Sequence, residues 1–83
     1  MRMASGSPWP LGAELVPEGV NFAVWAPDAT RLEVCLFGAE GTQELARHEL
    51  PVCTDGVWHG CLVGAAAGLV YGLRAHGPWA RRP

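Results

Sequence analysis

The stretch GVNFAVWAPDA, Gly19 to Ala29, decides how the rest of the chain is read. Val20, Phe22 and Val24 alternate with Asn21, Ala23 and Trp25, the period of two at which successive side chains point to opposite faces of a strand. The Val-Phe-Val row is a core face. The other row ends in a tryptophan with two readings: an indole packed under another layer, or one left flat at the surface. Ala26-Pro27-Asp28 then stops the run, because Pro27 offers no N–H to a ladder and biases Ala26 toward an extended exit.

Working outward, four further strands follow at similar spacing: Arg31–Phe37, Gln43–Glu49, Val57–Val63 and Leu69–Ala75. Segments rich in Gly, Pro and Asp separate them. In Arg31–Phe37 the side chains of Leu32, Val34 and Leu36 share one face, and Arg31, Glu33, Cys35 and Phe37 share the half-solvated other. Gly38 and Gly41 suit a hairpin loop of about five residues, and Asp55-Gly56 is a tight-turn signal. Tyr71, Leu73 and Ala75 are assigned to the core, Arg74 and His76 to the opposite face. No segment sustains a helical period. Five strands at regular intervals without helices predict an all-β, immunoglobulin-like antiparallel β-sandwich. SPWPLGAEL ahead of Val20 suits an extra edge strand, where prolines are tolerated. The expected organisation is a flexible N-terminus over 1–7, the sandwich over 8–79 and the start of a linker over 80–83.

Composition narrows the function classes. Eighty-three residues allow one small domain, which buries only roughly 60–65% of the surface its unfolded chain exposes. With 49% apolar and 17% charged residues the chain is too hydrophobic for disorder. A net charge of −2, with all six basic residues arginine and only Arg81-Arg82 adjacent, argues against nucleic acid. No apolar run approaches the roughly 18 residues that span a bilayer, and the opening MRMASGSPWPLG lacks the apolar core of a signal peptide. Three cysteines, Cys35, Cys53 and Cys61, cannot all pair within the chain, and their simplest setting is a reduced, cytoplasmic one.

Paired-carboxylate acid and base work needs two carboxyl groups held close together at one site, and the eight acidic residues are scattered between turns and strand faces; none is assigned a catalytic role. His59 and Cys61 share a face near Cys53 and His48, but the spacing is far from the short Cys pairs of structural zinc sites. A Cys–His nucleophilic pair lacks a third orienting group. No metal or cofactor is expected.

PLGAEL, GVNFAVWAPDATRLEVCLF, DGVWHG and YGLRAHGPW occur in one order from Pro8 to Trp79. This succession resembles the N-terminal domain of bacterial glycogen-debranching enzymes of the isoamylase type, a family-48 carbohydrate-binding module in the α-amylase superfamily. The resemblance implies a sandwich preceding a catalytic (β/α)₈ barrel, whose acidic triad has no counterpart here. It implies a bacterial cytoplasmic protein, with the barrel of the same parent chain as partner and α-glucan as a further one. LFGAEGTQE stands where branching enzymes and kinase modules carry an FNxW-like segment, which directs the resemblance to debranching enzymes.

The tryptophans carry the strongest chemistry, since an indole lying flat can stack on the C–H face of a glucose ring. Trp25, Trp58 and Trp79 are the carbohydrate-contact candidates, although Trp58 shares its face with Gly60 and Leu62 and reads first as core. Trp9, Trp25, Arg74, His76 and Trp79 are the domain-interface candidates. Two functions follow: a non-catalytic module orienting the barrel, with Trp25 facing it, or an autonomous α-glucan-binding module. An immunoglobulin-like protein-interaction domain is the third.

Overall fold

A computed structural model of the chain describes residues 1–77. Eight strands form: β1 Arg2–Ala4, β2 Gly12–Val16, β3 Gly19–Trp25, β4 Arg31–Phe37, β5 Glu44–Glu49, β6 Val52–Thr54, β7 Val57–Val63 and β8 Val70–His76. Every pairing among them is antiparallel. One sheet runs β1-β7-β3-β2, with β6 also on β7; the other runs β5-β4-β8. The two pack face to face as the expected β-sandwich.

The period-two rows meet in the middle. Val20, Phe22 and Val24 stand opposite Leu62, Gly60 and Trp58 on β7, and Leu32, Val34 and Leu36 answer them from β4. Phe22, Leu32, Leu50, Leu62 and Val34 are the largest fully buried side chains. Leu50 lies where the chain leaves β5 to cross between the sheets, and its N–H donates to the Leu32 carbonyl at 2.8 Å. The loop from β4 to β5 spans 38–43 and is closed by Gly38 N–H on the Gln43 carbonyl at 2.9 Å. Asp55 and Gly56, both at positive φ, make the two-residue turn between β6 and β7, the primed geometry that matches strand twist.

Two elements differ from the sequence reading, and a third agrees with it. Residues 1–7, expected as a flexible N-terminus, contribute β1, which pairs with Cys61–Val63 on the β7 edge. The segment after Leu50, expected as a turn, holds β6 on the Val57–His59 half of that same edge. The edge strand expected ahead of Val20 is β2, five residues long. Three-residue strands carry too little alternation to show a period, and they exist because β7 offers an open edge.

Because β1 lies on one side of β7 and β2 on the far side of β3, residues 5–11 cross the outer face of the first sheet as a strap. Two buried polar side chains hold it. Ser7 N–H donates to Asn21 Oδ1 at 2.8 Å, and Asn21 Nδ2 donates back to the Ser7 carbonyl at 2.9 Å. The ring of His59 sits between the Ser5 carbonyl, 2.6 Å from Nδ1, and the Thr54 hydroxyl, 2.8 Å from Nε2. Gly6 turns at φ +64°, and a side chain there would run into Asn21 Oδ1. Asn21, Ala23, His59 and Cys61 are buried under this strap although they face away from the core.

Leu62→Ala should cost about 3 kcal/mol by cavity formation, a large part of what a domain this small holds, measured by urea unfolding. Asn21→Ala removes both partners of the Ser7 backbone and should cost about 1–3 kcal/mol. Hydrogen exchange should then speed up at Gly6 and Ser7 first.

Candidate binding and domain-contact surface

One end of the sandwich gathers most of the candidate residues. Trp25 pairs with Val57 and Arg31 with His76, so the end of β3, the link through 26–30, the Asp55-Gly56 turn and the exit from β8 share that end. The link is fixed by its backbone: Ala26 N–H donates to the Gly56 carbonyl at 2.9 Å, and Ala29 N–H to the Ala26 carbonyl at 3.1 Å. β2 begins here too, Gly12 opposite Ala23. Trp9, three residues earlier, lies within about 10 Å of Gly12 by chain length alone.

Trp25 is 65% exposed, Trp9 65% and Leu11 49%. Alternation carries Trp25 onto the face that the strap covers, but one residue pair beyond the strap's reach, which leaves the indole in solvent. Its edge stands beside Gly56 and Pro27; a methyl added at Gly56 would lie 3.4 Å from Trp25 Nε1 and 3.2 Å from Pro27 Cβ. Trp58 takes the opposite course. It is half-buried against the core, and its Nε1–H donates to the Ala26 carbonyl at 3.1 Å. Trp79 lies outside the described residues.

β8 holds the other two candidates, and it corrects one core assignment. Tyr71 and Leu73 face inward, opposite Leu36 and Val34, yet remain 40% and 47% exposed. β1 lies against β5, which puts β8 and β2 together at the open side, where β2 does not close over its neighbour. Tyr71 keeps an edge-on contact with Phe22, ring centres 5.0 Å apart. Ala75 does pack against the core. Arg74 is exposed on the outer face of the second sheet.

His76 sits on that outer face at the head of a charge network. Its Nε2 lies 2.7 Å from Glu33 Oε1, with the Arg31 guanidinium 3.4 Å from the ring. Arg47 grips Glu44 at 2.9 Å and reaches Glu33 at 3.9 Å. The His76 carbonyl accepts from Thr30 N–H at 2.7 Å and Thr30 Oγ1 at 3.1 Å. Glu33 and Cys35, expected on a half-solvated face, are both buried: His76 caps Glu33, and Cys35 is flanked by Arg47 and Gly72 in register. The hydrogen bond from His76, aided by Arg31 and Arg47, holds the Glu33 carboxyl below its usual range.

The opposite end of the first sheet carries a shallow cleft of about 410 Å³, floored by Cys61, Val63 and Val16 and rimmed by Arg2, Glu14 and Glu18. Burial, with the Glu18 carboxylate adding to it, pushes the Cys61 thiol up and away from reactivity. Among the described residues no group of three or more His, Cys, Asp or Glu side chains is placed to hold a metal ion.

A carboxyl whose folded-state pKa is lowered stabilises the fold above its unfolded value of 4.5, and that stability is lost as pH falls through the folded value. Urea midpoints of the wild-type chain should therefore drop as pH falls below 4.5, and Glu33→Gln should flatten that drop while starting lower at neutral pH.

The sequence model of carbohydrate-binding module 48, the isoamylase N-terminal domain, matches residues 10–82. A glycogen debranching enzyme of Klebsiella pneumoniae subsp. pneumoniae is 46% identical over 77 residues, which are 93% of this chain and 11% of the enzyme; a second from the same species matches equally. The pullulanase of Paenibacillus barengoltzii, solved with maltohexaose and α-cyclodextrin, superposes with a TM-score of 0.75 at 26% identity, over 88% of this chain and 11% of its own. The catalytic module of a multi-modular glycogen-degrading pneumococcal virulence factor shares the fold, with a TM-score of 0.72 at 20% identity over 90% of this chain and 12% of its own. The chain thus spans about a tenth of the length of these relatives. An all-β sandwich matched along nearly its whole length belongs to the carbohydrate-binding module 48 family, the isoamylase N-terminal domains found in glycogen-debranching glycoside hydrolases.

Proposed function

We propose that this chain is the non-catalytic N-terminal module of a bacterial, cytoplasmic glycogen-debranching enzyme, and that it supports and orients the barrel that hydrolyses α-1,6 branch linkages. The observation that carries the reading is the exposure of Trp25 at the end where the chain leaves the sandwich. A free-standing domain rarely leaves so large an apolar side chain uncovered beside others. On the second sheet Glu33 is held by His76 and Arg47, and Glu44 by Arg47. The three free thiols suit a reducing compartment.

A second reading, direct α-glucan binding, is favoured by one observation. Trp9 and Trp25 are both exposed and come to the same end of the first sheet, as two stacking platforms on a sugar chain would be. Trp58 does not join them, because its indole is turned to the core.

Titration of the 83-residue chain with maltoheptaose, followed by tryptophan fluorescence, separates the two. The supporting role gives no saturable change at millimolar sugar. Saturable quenching that disappears in Trp25→Ala establishes glucan binding instead.

A further inference from the structure

We propose that β8 pairs with β8 of a second copy of this chain, antiparallel about a two-fold axis at Gly72, so that the two three-stranded sheets become one. Such a dimer leaves the Trp25 end untouched and does not depend on the module reading above. β8 is the outer strand of the β5-β4-β8 sheet, with no strand on its far side among the described residues. It runs for seven residues, against six in β5, five in β2 and three each in β1 and β6. It holds no proline, and Arg74 is its one permanent charge. The backbone groups along its open side form the row to which an incoming strand adds. Tyr71 and Leu73 point between the sheets yet are 40% and 47% exposed, and Leu15, opposite Val20 and so on the core side of β2, is 61% exposed. An added strand therefore gains a ladder and covers apolar side chains that the facing sheet leaves open.

The residues on either side of Gly72 complement one another. With the axis there, Tyr71 stands opposite Leu73 of the second copy, Leu69 opposite Ala75, and Val70 opposite Arg74, so that aromatic meets aliphatic and large meets small. Arg74 then points along the row Val70, Phe37 and Glu44 of the second copy, which are neighbours in register. Its stem lies on Val70 and its charge faces the Glu44 carboxylate. The two Arg74 residues are four positions apart along the paired strands, about 13 Å, beyond the screening length of roughly 8 Å at physiological salt. An axis at Leu73 would set them two positions apart, about 7 Å, where like charges repel. Gly72 brings no side chain to the axis, and the Phe37 ring leans over it, 3.5 Å from where a methyl would stand. The outer surface at the axis is thus lined by the two Phe37 rings.

Sedimentation velocity of the 83-residue chain over a concentration series, with hydrogen exchange at its lowest and highest concentrations, tests the pairing. The expected result is a reversible dimer with a dissociation constant between about 1 μM and 1 mM, as suits an interface of one strand pair. Amide protection over Val70–Ala75 should grow with concentration. Leu73→Lys sets a charge in the inner row of each copy and should abolish the dimer. Arg74→Glu turns a carboxylate toward Glu44 and should weaken it about tenfold. Leu45→Lys, at an exposed position on β5, should dimerise as wild type. Thermal unfolding of each variant is recorded, and if Leu73→Lys fails to fold, Arg74→Glu and the wild-type footprint decide. A chain that stays monomeric up to about 1 mM, a dimer protected at Trp25 or over Trp9–Val16 instead of β8, or one that Leu73→Lys leaves intact overturns the proposal. An Arg74→Glu dimer as tight as wild type overturns the axis at Gly72, and the proposal with it.

Discussion

The exchange of two hydrogen bonds between Asn21 and the Ser7 backbone organises the first sheet. A five-strand sheet with one face in the core would ordinarily leave its other face to water. Here the chain crosses that face between β1 and β2, and the strap converts it into a thin second interior. β3 is consequently buried on both sides for most of its length. The amide of Asn21 is what makes burial there tolerable, since a desolvated backbone N–H and C=O without partners would oppose it. His59 repeats the device one strand away.

That arrangement explains how much of the molecule was legible in the sequence. Long strands with strict alternation, β3, β4 and β7, were readable because burial of one row imposes a period of two. The ends of β5 and β8 fall within one residue of their expected positions. β1, β6 and the strap were not readable. Their partners are distant in the chain, and Asn21 meets Ser7 across a separation of 14 residues. The same limit hid the pair between Glu33 and His76, which are 43 residues apart. Tyr71 and Leu73 show a different limit. Alternation reports which way a side chain points, but not whether the facing sheet is wide enough to cover it.

Trp25 joins these observations to function. Its row begins under the strap and ends outside it, so the residue emerges into solvent for a geometric reason rather than a local one. The tryptophan that stays inside, Trp58, differs only in pointing the other way from the neighbouring strand. On the second sheet Glu33 and Glu44 are held by Arg47 and His76. What the domain presents outward is thus an end with exposed indoles and, on the second sheet, a face of paired charges.

The prolines that frame β2 have a consequence for solubility. Pro10 and Pro17 stand on either side of its five residues, and neither can donate to a ladder. A foreign strand arriving at that edge finds only a short row of free backbone groups, too few to template a growing sheet. β5 at the opposite corner presents Glu44, Arg47 and Glu49, charges that would have to be stacked on like charges in any stacked copy. These two edges offer a second copy little to pair with and so resist edge-to-edge aggregation.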